Sequence, residues 1–162
     1  MHNKAIKAEE EKAVEKSNIR FYQAFESLSL EKMEEVWNHT DYTVCVHPGW
    51  DLFTGWMAIR DSWNRIFQNT EMIKFIITNT KIKIFENIAI VVCLENIETI
   101  VNENKIRMGV IATNIFERQN INKNNNKNNN DNNDNNDKWL IIHHQGSVAS
   151  NYIPPNISDF HL

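Results

Sequence analysis

An α+β fold, with one curved antiparallel sheet wrapped on a long first helix, is what this 162-residue sequence predicts. Helical periodicity is confined to the stretch before Thr70, and β-branched runs joined by turn-like residues fill most of the chain beyond it. The run Lys138 to Ser147, K-W-L-I-I-H-H-Q-G-S, adds a strand that is apolar at its start and polar at its end. That gradient suits a strand running from packed core into a wet cavity.

Ala5 to Leu28 reads as an amphipathic helix. Val14, Phe21, Phe25 and Leu28 recur at helical spacing, and Glu9, Glu10, Glu11, Lys12 and Lys16 fall on the wet side. Ser29 then caps a short second helix, S-L-E-K-M-E-E-V-W, with Glu31 favourable in its first turn and Met33, Val36 and Trp37 as its buried stripe. Asp41 to Pro48 is β-branched and alternates Tyr42, Val44 and Val46 against Thr43, Cys45 and His47, until Pro48 and Gly49 end it. An irregular piece, W-D-L-F-T-G, leads to a third helix from about Trp56 to Asn69, with Thr54 as its cap and Ile59, Trp63, Ile66 and Phe67 on its apolar side.

Three long strands come next, over Lys74–Phe85, Ile88–Val101 and Lys105–Arg118. Glu86-Asn87 and Asn102-Glu103-Asn104 are turn-like joints, so a meander of hairpins is expected, with a bulge or kink at Gly109. The tract 120–137 is dominated by asparagine and has too little apolar surface to offset ordering entropy. It reads as a mobile insertion in a hairpin of a single domain spanning 1–162. A sheet with helices on one face needs cover on the other, and a second copy of the chain is the expected cover, giving a homodimer through the sheet.

Composition narrows the function. A formal charge of −4 and a pI near 5.9, with no clustered basic face, argue against nucleic acid. No apolar run approaches the length of a bilayer crossing, and the N-terminus has no apolar core of a secretory signal, so a cytoplasmic protein is expected. Cys45 and Cys93, both inside strand-like runs, read as reduced buried thiols with no second ligand at short spacing, hence no metal site and no disulfide.

Several residues are candidates for a site. His47, at a strand end before a Pro-Gly break, is either a general base at a rim or a histidine bonded to backbone there. His143 and His144 are adjacent in a strand and must face opposite ways. Shared parity with Gln145 favours His143 inside and leaves His144 for the dimer side. Glu95 interrupts an apolar run, so it is either a site carboxylate or the partner of Arg107 or Arg118. Trp50 and Trp56 lie in or beside the loop and suit a pocket for a flat apolar ligand; Trp63, at helical spacing, also fits the core. Asn114, polar within an apolar strand, either orients a ligand or bonds a neighbouring strand.

The segments C-V-H-P-G-W (45 to 50), G-W-M-A-I-R-D-S-W (55 to 63), C-L-E-N-I (93 to 97), A-T-N-I-F-E-R (112 to 118) and K-W-L-I-I-H-H-Q-G-S (138 to 147) occur in that order. Together they resemble the SnoaL-like branch of the nuclear transport factor 2 superfamily, which includes ketosteroid isomerase and the association domain of calmodulin-dependent kinase. The resemblance spans roughly Ala13 to Ser150, the asparagine tract excepted. It implies a cone-shaped, cystatin-like fold, a pocket opening between sheet and helices, and dimerisation through the sheet, and it too favours His143 inside. Compared with ketosteroid isomerase, His47-Pro48 falls at the Asp-Pro general base. The oxyanion tyrosine's position is Phe21, with Tyr22 one place on, and the second acid has no match. Function follows as an expectation: a small, mostly apolar molecule in the cone, with cofactor-free acid–base chemistry by His47, His143, Glu95 and Asn114. Trp50, Trp56, Trp63, Gln145 and Tyr22 would line the pocket. The competing expectation is a non-catalytic homo-oligomerisation or protein-interaction domain.

Overall fold

The computed structural model describes residues 2–119 and 138–156, with side chains from residue 6 onward. The asparagine tract and its expected mobility lie outside the described residues. The elements run α1 (His2–Glu26), α2 (Leu30–Val36), β1 (Val44–Val46), β2 (Leu52–Thr54), α3 (Trp56–Gln68), β3 (Met72–Phe85), β4 (Ile88–Val101), β5 (Asn104–Gln119) and β6 (Lys138–Val148). They build an α+β fold with one curved six-stranded sheet, ordered β2-β1-β6-β5-β4-β3.

Helix α1 packs its apolar stripe on the concave face of the sheet, where Val14, Phe21 and Phe25 meet Ile73, Val91, Val110 and Phe116. Ser29 caps α2 as expected, its side chain accepting from Lys32 N at 3.3 Å. The long strands match their expected spans to within two residues, and left-handed Glu86, Asn102 and Glu103 make the two hairpin turns.

Several expectations fail locally. The first strand is shorter than Asp41–Pro48, and Leu52–Thr54, expected to be irregular, is a strand pairing with it. Thr54 therefore belongs to β2, and the N-cap of α3 is Gly55, which makes no side-chain cap bond and has φ of 81°, a conformation natural to glycine. Strand β1 pairs with β6 in parallel, so the sheet is not wholly antiparallel. Gly109 causes no bulge, since β4 and β5 stay in register throughout. It carries instead the ring of Tyr152, which folds back over the convex face, with Ala149 N donating to Gly109 O at 2.8 Å. The irregularities fall in β3 between Thr78 and Lys81, where Asn79 has φ of 55°, and in β6 at Ile142.

The second of these bulges decides which histidine faces inward. Against β5, His143 pairs with Ile115 and Ile141 with Phe116, so Ile142 is the extra residue. It sits where β6 changes neighbour. Ile141 O accepts from Asn38 N at 2.9 Å, whereas His143 already pairs with Val44 of β1. Beyond the bulge the parity is inverted. His144 is 2% exposed and faces the helices, while His143 and Gln145 lie on the convex face.

Candidate functional site

Beneath α1 the concave face holds a chain of buried polar groups. Asn114 of β5, with no exposure, is its junction. Its Nδ2 donates to Asn18 Oδ1 at 2.9 Å and to the Tyr22 oxygen at 3.2 Å. Its Oδ1 lies 2.6 Å from His144 Nδ1, and because an amide oxygen only accepts, Nδ1 carries the proton. Tyr22 in turn donates to Glu95 Oε1 at 2.8 Å and lies 3.3 Å from Cys93 Sγ. The order His144, Asn114, Tyr22, Glu95 thus has every donor pointing toward the carboxylate.

Burial governs the protonation of this chain. It raises Glu95 to a pKa of about 7, partly offset by the Tyr22 bond. It also raises Tyr22 well above the usual phenol range, with Glu95 as a second cause. His144 is lowered to about 3 by burial first and then by His47 and His143, so the ring is neutral near neutral pH. Glu95 is not the ion-pair partner of either arginine considered for it. Arg107 pairs with Glu98, and Arg118 with Glu10.

His47 sits apart, its ring centroid 6.3 Å from that of His144. It lies just past β1, faces inward with Thr43 and Cys45, and is 4% exposed rather than at an open rim. Its Nε2 is 2.9 Å from Ser62 Oγ, whose own proton goes to Ile59 O at 2.6 Å, so Nε2 donates and Nδ1 is the basic nitrogen. That nitrogen is 3.9 Å from Cys45 Sγ. Burial, followed by the Arg65 charge, lowers His47 to about 4. Trp63 packs beside both histidines as core, edge-on to His47 at 4.5 Å and to Phe25 at 4.7 Å. Trp50 is 41% exposed, with the Arg65 guanidinium 5.2 Å above its ring. Trp56 turns the other way and stacks on His39 at 4.4 Å.

The expected residues therefore separate into three places. Tyr22, Glu95 and Asn114 are joined directly, His47 and Trp63 lie one ring away with Trp50 outside them against His47, and His143, Gln145 and Trp56 are elsewhere. Asn18 and Ser62 were missed. Both carried a signal, as lone polar residues inside the apolar stripes of α1 and α3. Rings of Phe21, Phe25, Trp63 and Phe116 fill the interior around the histidines, and two flanks of α1 are open. One is a groove of about 310 Å³ between α1 and β3, walled by Ile19, Phe75 and Ile77, with Asn18 and Tyr22 among its lining and Glu15 and Glu26 beside them. No group of three His, Cys, Asp or Glu among the described residues could hold a metal. Cys45 and Cys93 are free and buried, both raised by burial. No described helix is long and apolar enough to cross a membrane.

Residues 14–122 match the SnoaL-like domain family. The F-box protein SKIP8 of Arabidopsis thaliana is 23% identical over 137 residues, which cover 85% of this chain and 50% of that protein. The chain thus spans half the length of that curated relative. A proposed dehydratase of the nuclear transport factor 2-like family from Streptomyces avermitilis superposes with a TM-score of 0.70 and 27% identity, covering 85% of this chain and 94% of that one. A proposed calcium/calmodulin-dependent protein kinase type II association domain from Thiobacillus denitrificans gives 0.67 and 24%, covering 84% and 94%.

Proposed function

The chain belongs to the SnoaL-like domain family, and from that premise we propose that it is a single domain binding a small, mostly apolar, uncharged molecule between α1 and β3. The observation that carries this reading is the position of Tyr22: it lines the groove and is hydrogen-bonded to the buried Glu95 behind it. A groove of about 310 Å³ is in the range of small-molecule sites, and its two lining carboxylates disfavour an anion.

The chemistry proposed is cofactor-free hydrogen-bond donation. A ligand oxygen entering the groove accepts a hydrogen bond from Tyr22. Glu95, whose pKa of about 7 keeps much of it protonated near neutrality, then donates to the phenol oxygen, as Asn114 already does. Two donors on that oxygen offset part of the rise that burial gives the Tyr22 pKa, and the phenol acts toward the ligand as a neutral hydrogen-bond donor. His144 orients Asn114, and His47 has a supporting place beside Trp63 rather than contact with the ligand. The buried thiols and the lack of a membrane-crossing helix among the described residues fit a cytoplasmic protein.

The test is a screen of neutral carbonyl and hydroxy compounds by amide chemical-shift mapping. Binders should shift Asn18, Ile19, Tyr22, Phe75 and Ile77, and Tyr22→Phe should weaken them about tenfold, the loss of one buried polar bond. Binders that map elsewhere, or ignore Tyr22→Phe, reject the site.

Self-association is the second reading. Ile90, Val92, Leu94, Ile111 and Ile115 line the convex face of β4 and β5, half-buried or exposed. A second copy is the cover proposed for them, and similarity to a kinase association domain supports it. Light scattering on the full chain decides it; a monomer at all concentrations excludes this reading.

A further inference from the structure

The opposite flank of α1 carries a second groove with the reverse electrostatics. About 500 Å³ in volume, it lies between α1, α2 and the start of β6 and is lined by Arg20, Lys32 and Lys138. Glu35 is the carboxylate among its lining residues. The ion pairs recorded among the described residues are Arg60–Glu34, Lys105–Glu98, Arg107–Glu98 and Arg118–Glu10, so these three cations have no carboxylate partner there. In a chain of net charge −4, three cations lining one concavity with a single carboxylate give it a positive surplus, bounded on the α2 side by Glu31 and Glu34 of the adjoining concavity that shares Lys138 and Leu140.

The floor of the groove supplies a separate observation. Trp139 is 2% exposed and lines it, yet its Nε1 has no hydrogen-bond partner. The same is true of Trp37 and Trp63 Nε1, so the Trp139 indole enters here as apolar surface. Leu140 adds apolar surface beside the indole.

We infer that this groove binds a small phosphate monoester, its dianionic head among Arg20, Lys32 and Lys138 and its organic body against Trp139 and Leu140. Charge selects the class. Three cations less one carboxylate leave a surplus of two positive charges, which a dianion neutralises and a monoanion does not. Arginine and lysine are also the side chains that hold phosphate oxygens best, the first bidentate and the second as a point charge. The site is distinct from the one between α1 and β3 and stands whether or not that one holds.

Titration of the full chain with phenyl phosphate, and with phenol as its uncharged counterpart, tests the inference when read from the amide shifts of Trp139 and Leu140, so that phenol in the groove between α1 and β3 is not counted. At low ionic strength phenyl phosphate should bind at least about tenfold more tightly than phenol, and the difference should shrink with added salt. Arg20→Gln and Lys32→Gln, both at exposed positions, should each weaken phenyl phosphate several-fold and leave thermal stability unchanged. Glu35→Gln should tighten it, and Tyr22→Phe should leave it unaltered. Equal affinity for phenol and phenyl phosphate, or phenyl phosphate binding that survives both cation substitutions, overturns the inference.

Discussion

The Tyr22 hydroxyl donates to Glu95 Oε1 at 2.8 Å while accepting from Asn114 Nδ2 at 3.2 Å, so one phenol ties α1 to β4 and β5 through the core. Tyr22→Phe keeps the ring contacts with Phe21 and Phe75 and removes only the hydroxyl's bonds, the contact with Cys93 Sγ among them. Glu95 would then lose a buried donor, a loss of about 1–3 kcal/mol. The loss should be greater above the Glu95 midpoint, where the carboxylate is charged and needs the donor most. Urea unfolding of both proteins on either side of neutrality measures it, and an identical cost at both pH values rejects the pairing.

Glu95 also gives stability a pH dependence of definite sign. Its pKa is about 7 in the fold against an ordinary 4.5, so the native state holds the proton more tightly than the unfolded chain. That contribution is complete below about 4.5 and is lost as pH rises through about 7. Glu95→Gln removes the dependence and leaves an acceptor for Tyr22. Relative to the parent, the variant should gain on the order of 3 kcal/mol between those limits. His47 and His144, lowered to about 4 and about 3, act in the opposite sense: their contribution is present above the imidazole value of 6.5 and is lost as pH falls. The difference between variant and parent is therefore the quantity to follow, and a flat difference from acid to neutral pH contradicts the Glu95 shift.

The sequence carried the architecture because its long strands and helices declare themselves by period, and five ordered segments matched one family. The site was legible only in part. Glu95 and Asn114 stood out as polar breaks in apolar runs, and both prove to be buried in one network. The histidine pair was assigned the wrong way round. I-I-H-H places two apolar residues before two identical polar ones, so an extra residue at Ile142 exchanges the histidines without disturbing the hydrophobic pattern. Strand alternation holds no information about a bulge that falls where β6 passes from Asn38 to β1. Leu52–Thr54 escaped for a related reason, since three residues are too few to show any period.

The exchange of histidines is itself testable. His144 is 2% exposed, contacts Phe21 at 5.1 Å and Trp63 at 6.0 Å, and holds Asn114, so His144→Ala leaves a cavity and an unsatisfied amide oxygen. A cost of about 3 kcal/mol or more is expected. His143→Ala, on the half-exposed convex face, should cost less than about 1 kcal/mol in the monomer. Chemical denaturation of the two variants side by side gives the answer. The reverse ranking would place His143 in the core and remove the bulge from the description of β6.

Gly109 and Tyr152 make the last pair. A Cβ built on Gly109 would lie 2.1 Å from Tyr152 Cδ2 and 2.5 Å from its Cγ, far inside contact distance, so the ring occupies the space an alanine needs. Gly109 has an ordinary strand conformation, and alanine by itself should suit the strand slightly better than glycine. Gly109→Ala should therefore cost about 1–3 kcal/mol through overpacking, by lifting Tyr152 and loosening the bond from Ala149 N to Gly109 O. With Tyr152→Ala already in place the same substitution should be neutral or stabilising. The double-mutant cycle isolates this coupling from any intrinsic backbone effect. If Gly109→Ala costs the same in both backgrounds, the clash with the ring is not its cause, and the C-terminal segment does not rest on the convex face at this glycine.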